Sequence, residues 1–191
     1  MNREGRKWHR QKNKELKRMI KRAKKEKMHP SFINLLKAQD KMKKKYKWKM
    51  EFYEGATEEE IQEFENRMGV TLPESYRDFL KFTDGADLGE GNVTLRGVHE
   101  RKIIGNIEDL NYFEPDADWH NIAEAKKHNL LILGDDIANY LIGVNLENGE
   151  IALWDCEDVE NEYCELSPDF YSYIESVAEE IKNKERDDYY D

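Results

Sequence analysis

Cysteine is nearly missing from this 191-residue chain. Cys156 and Cys164 are the only two, and their spacing matches neither a CxxC pair nor a zinc-type set, so both read as free reduced thiols. Long apolar runs are absent as well. No stretch approaches the roughly 20 residues that span a bilayer, and no signal-peptide core opens the chain. A membrane protein is thereby excluded, and a cytoplasmic location is expected. The catalytic words are missing too: no phosphate-binding loop, no GxGxxG after a strand, no HExxH and no defensible Ser/His/Asp order. Hydrophobic residues make up 38% of the chain, so part of it must sit outside any core.

What is present is charge, unevenly spread. Residues 1–50 hold 20 Lys/Arg against four Asp/Glu, a balance of +16. Subtraction from the totals of 31 and 41 leaves 11 against 37 in residues 51–191, a balance of −26. Two electrostatically opposite parts follow. Residues 1–45 are a basic, partly helical extension, with Leu16, Met19, Ile20 and Ala23 at helical spacing and a second short helix opening at Pro30-Ser31. A solvated extension is one reading of it; contact with nucleic acid or an acidic partner is the other.

A folded domain is expected over residues 46–183, followed by an acidic flexible tail at 184–191. Tyr46, Trp48, Met50 and Phe52 alternate with charged residues, the pattern of a half-buried strand. Thr57 and Glu60 form a capping box for a helix carrying Ile61, Phe64, Glu65 and Met68, with Gly69 as its left-handed stop. Pro73 suits the first position of a second helix, whose apolar face is Tyr76, Phe79 and Leu80 and whose end is set at Gly85. A flexible turn is expected at 87–91, then strands over 92–98 and 102–107. A helix over 119–128 is capped by Asp118, and 130–133 is a buried run. Asn148-Gly149, between two apolar segments, predicts a tight hairpin with both residues at positive φ. A strand at 163–166 precedes Ser167-Pro168, which opens a final helix faced by Phe170, Ile174, Val177 and Ile181; the tail beyond it reads as frayed. The fold class is α+β: a mainly antiparallel sheet with helices packed on one face, preceded by the basic helical extension.

The words ATEEEIQEFENRMGVTLPESYRDFLKFTDGADL and NLLILGDDIANYLIGVNLENGEIALWD resemble the SUKH superfamily, also called the Smi/Knr family. Glu65, Leu72, Pro73, Tyr76, Phe79 and Leu80 match its helix–turn–helix pattern, with Asp84-Gly85 where Asn-Gly is commoner. Gly134-Asp135, Gly149 and Trp154-Asp155 match downstream. The resemblance covers about residues 50–181 and leaves the basic extension unaccounted for. It implies an α+β, non-catalytic protein, and no cofactor is expected. It further implies a frequent bacterial role as an immunity protein, an antitoxin that binds and blocks a cognate toxin, often a nuclease.

Carboxylates are abundant enough to ask about chemistry. His120, Glu124 and His128 recur at i, i+4 steps, yet a polar helix face explains them better than a metal site. Asp135, Asp136, Glu157, Asp158, Glu160 and Glu162 fall at hairpin ends and loops, and read as a surface for a basic partner. Trp154 is either an aromatic anchor for that surface or a core residue of the hairpin. Two functions result: a toxin-neutralising binding protein, or a non-catalytic regulatory or scaffold protein whose basic arm contacts nucleic acid.

Overall fold

A computed structural model of the chain describes residues 3–46, 51–88, 93–101, 105–111, 125, 127–136, 140–154 and 163–187. The chain divides into a helical unit, residues 1–48 with 174–191, and a sheet unit, residues 49–173.

In the helical unit, α1 (Arg3–Lys25) packs against α2 (Pro30–Tyr46). Lys, Arg, Leu and Met are good helix formers, so local propensity favours both helices. Repulsion between neighbouring lysines costs about 0.2–0.5 kcal/mol per i, i+4 pair. Burial of Phe32, Leu35 and Leu36 outweighs it, at about 1.5–3 kcal/mol for each side chain. Leu16 and Ala23 of α1 are buried, as are Ile174, Val177, Ala178 and Ile181 of α6 (Phe170–Asp187), whose residues from Ile174 onward belong to this unit. Asn34 Nδ2 donates to both carboxylate oxygens of Glu175 at 3.1 Å, tying α2 to α6. The basic extension is therefore two helices of a folded unit that the C-terminal helix completes.

Among the described residues of the sheet unit, seven strands stand in chain order, each antiparallel to the next: β1 (Glu51–Phe52), β2 (Ala86–Leu88), β3 (Val93–Leu95), β4 (Leu130–Asp136), β5 (Leu141–Asn145), β6 (Ile151–Trp154) and β7 (Tyr163–Ser167). Leu141, Ile142 and Val144 are buried, as are the consecutive Leu130, Leu131, Ile132 and Leu133, so both faces of β4 and β5 are covered. One core brings Tyr76 and Phe79 of α4 (Glu74–Phe82) onto Phe170, with ring centroids 4.8 and 5.2 Å from it. A second gathers Leu110 of α5 (Ile107–Asn111) and Ala125 with Leu130, Ile132, Leu141, Ala152 and Trp154. Upstream of α4, α3 (Glu58–Met68) starts on the Thr57/Glu60 capping box and closes at Gly69, as its spacing predicts.

Several local expectations differ from the structure. Tyr46 ends α2 and is not in a strand, because the lysine run keeps the helix going; β1 is described over Glu51–Phe52, and Trp48 and Met50 lie outside the described residues. Asp87 and Leu88 lie in β2, not in a turn. Ile107 opens α5, and Arg101 and Gly105 exchange backbone hydrogen bonds just before it. Pro73 is the N-cap of α4, and the helix stops at Phe82 with Thr83 as its C-cap. Ser167 finishes β7, and Asp169 caps α6 by accepting from Ser172 N at 2.7 Å. That helix continues through Asp187. The 145–150 hairpin is wider than a two-residue turn. Asn145 N donates to Glu150 O, Gly149 N donates to Asn145 O, and Gly149 alone in the loop has positive φ, at 82°. Most of the expected 119–128 helix lies outside the described residues.

Candidate functional site

Two buried carboxylates hold the α3–α4 region together. Glu65, near the end of α3, accepts from Leu72 N at 2.7 Å and from Arg77, which also meets Glu58. The Glu65 hydrogen bond, ahead of all else, raises the pKa of Arg77. Asp84 is 0% exposed. It accepts from Val98 N at 2.7 Å, His99 N at 3.3 Å and Arg101 Nη2 at 2.7 Å, while His99 Nδ1 lies 2.8 Å from Oδ2. A Cβ at Gly97 would run into this carboxylate. His99 Nε2 is 3.3 Å from Glu60, and the Arg101 guanidinium stands 5.3 Å from the Tyr53 ring centre. Tyr76 donates to Arg96 O at 2.6 Å, and burial pushes its phenol well above the ordinary value. Both carboxylates are fully engaged by these partners and lock loops to helices, while Arg101 Nε and the Tyr53 hydroxyl are buried without a hydrogen-bond partner; the arrangement is architectural.

The other notable region is one end of the sheet. The register sets Thr94 opposite Asp135, Asp135 opposite Leu141, Leu141 opposite Trp154, and Trp154 opposite Tyr163. The β2–β3, β4–β5 and β6–β7 connections therefore all leave from the same end. Asp135 is half-buried and ion-paired with Arg96 at 2.8 Å. Asp136 accepts from Tyr140 N through its side chain at 3.0 Å, closing the β4–β5 turn. Trp154 is 0% exposed and belongs to the second core, so as it stands it is a packing residue and not a surface anchor. Glu157, Asp158, Glu160 and Glu162 lie outside the described residues. Tyr140, which the sequence reading passed over, is 37% exposed beside Asp136. Its position one residue before an apolar strand was the only available signal.

Of the histidine–glutamate helix, only His128 is described; it is half-buried, its ring 5.7 Å from the Trp154 ring. Among the described residues no group of three or more His, Cys, Asp or Glu is placed to hold a metal ion. No helix among them is long and apolar enough to cross a membrane.

The SMI1 / KNR4 family (SUKH-1) profile matches residues 55–176, which begin just before α3 and end within α6. No curated protein matches the chain. The matched span takes in α3, the Leu72–Leu80 segment, Asp84-Gly85 and strands β2 to β7, and on that match the chain belongs to the SMI1/KNR4 (SUKH-1) family.

Proposed function

We propose that this chain is an immunity protein that binds and neutralises a cognate toxin in the cytoplasm, without turnover and without a cofactor. Family membership carries the reading, through the immunity role that the resemblance implies. The charge of the body supports it: 11 Lys/Arg against 37 Asp/Glu in residues 51–191 suit a basic partner such as a nuclease, whose groove is built to receive phosphates. The contact surface is the acidic end of the sheet. Asp136 and Asp135 lie at its β4–β5 turn, Glu157, Asp158, Glu160 and Glu162 fall between β6 and β7 in sequence, and Tyr140 takes the anchoring role first given to Trp154. Opposite fields of this size speed association and make it sensitive to salt.

Co-expression with the toxin encoded beside this gene tests the reading. Rescue of growth, and a complex whose association slows as salt rises, are expected. If no adjacent effector is toxic, or the chain rescues cells from none, the reading fails.

A further inference from the structure

The helical unit carries a feature that a toxin inhibitor does not need. Along α1, at about 100° per residue, Lys14, Lys17, Arg18, Lys21, Lys24 and Lys25 fall within one arc of about 120°. All six are exposed. The same register repeats earlier in the helix at positions 3, 6, 7 and 10, each Arg or Lys. No acid enters the arc. Glu15 and Glu26 are on its flank, where Arg22 pairs with Glu26 at 3.6 Å. The opposite side holds Leu16 and Ala23, both buried. Between Lys14 and Lys25 the cations of the arc and the buried residues thus lie on opposite sides of the helix.

We propose that this arc of α1 is a docking surface for the phosphate backbone of a nucleic acid, held without regard to base sequence. At about 1.5 Å rise per residue, six cations between Lys14 and Lys25 stand on average about 3.3 Å apart along the axis. One strand of a duplex presents a phosphate about every 3.4 Å. The match in charge density favours a polyphosphate over a folded acidic protein, whose carboxylates are broken up by neutral residues. A lipid surface fits poorly, because interfacial helices bind by inserting an apolar face and the apolar face of α1 is already packed. With α2 packed against it, α1 is held to the phosphate rim of a groove, so no base edges are read. This surface is independent of the acidic end of the sheet, and either reading can fail without the other.

The test uses the full chain, since removing α1 would uncover the apolar residues of α2 against which it packs. Anisotropy of short labelled RNA duplexes, DNA duplexes and single strands is measured over a salt series. Binding by one or more of these is expected, with the arms distinguishing RNA from DNA. The triple variant Lys14→Glu, Lys21→Glu, Lys25→Glu should weaken binding by about tenfold or more and lower the log–log salt slope by about three. Lys127→Glu, exposed in the sheet unit, should change little. If the triple reversal fails to give the wild-type circular dichroism spectrum, the Lys→Gln triple is used, with the same drop in slope expected. No binding at low salt overturns the proposal, as do a triple variant that binds like wild type, anionic vesicles that bind equally well, and salt-sensitive self-association in place of nucleic-acid binding.

Discussion

Asn111 does with its side chain what a neighbouring strand does with its backbone. Its amide donates to Ile132 O at 2.8 Å and accepts from Ile132 N at 3.0 Å, next to the register shift in β4. Replacement by Leu keeps the branched outline of the side chain and strands both buried backbone groups. Asn111→Leu should cost about 2–4 kcal/mol in urea unfolding, well above the cost of a surface change. Asp84 is a parallel case, with Arg101 as its charge partner, and Asp84→Ala should cost about 3 kcal/mol. Two carboxylates in the first turn of α3 contribute acid sensitivity. The pKa of Glu58 is lowered, first by its hydrogen bond to Lys81, and that of Glu60 first by its bond to the Thr57 backbone. A carboxylate depressed in the folded state adds stability that is complete above the unfolded value, about 4.3, and is lost as pH falls through the folded one. Glu60→Gln should therefore flatten the fall in stability below about pH 4, and an unchanged acid-unfolding curve would count against it.

At the level of elements, what lay within a few residues was legible. Thr57 and Glu60 are three apart, and their capping box is present. Glu65 to Leu72, Asp84 to Arg101 and Asn111 to Ile132 are separated by seven, 17 and 21 residues, and only the completed fold makes them neighbours. Short strands were the hardest to read. The alternation at Tyr46–Phe52 pointed to β1 but placed its start inside α2, and Asp87-Leu88 of β2 sit in a polar, glycine-rich run that reads as a turn. The seven-residue β4 was visible as an apolar run. The 145–150 hairpin shows how a correct location can carry the wrong geometry. Asn145, outside the expected Asn-Gly pair, accepts from Glu147 N at 2.9 Å and donates to His128 O at 3.3 Å. Asn145→Ala should thus cost about 1–2 kcal/mol and Asn148→Ala a few tenths, the reverse of what a two-residue turn predicts. The end of α1 offers a gain instead. Met28 N bonds to Ala23 O and Lys27 N to Lys24 O, a Schellman closure that puts Lys27 at φ 56°. Lys27→Gly removes the strain of that conformation and should raise thermal stability by about 0.5–1 kcal/mol.

For the whole molecule, composition showed the division of charge, while the pairing of the first residues with the last was hidden. Phe170, Ile174, Val177 and Ile181 read as one more face for the sheet; in the structure the last three belong to the unit that also holds α1 and α2. A truncation lacking residues 1–48 should therefore bind hydrophobic dyes and aggregate, and a monodisperse, dye-silent product would contradict this packing. On the proposed reading as an immunity protein, Tyr140→Ala should weaken affinity for the toxin by about 2 kcal/mol or more. The strands meet in the order they are made, which keeps contacts local and favours quick assembly. The bond from Asn34 to Glu175, by contrast, bridges 141 positions. During synthesis the meander has all its pieces before α6 emerges from the ribosome, so α1 and α2 wait, basic and half-covered, beside a machine made largely of RNA.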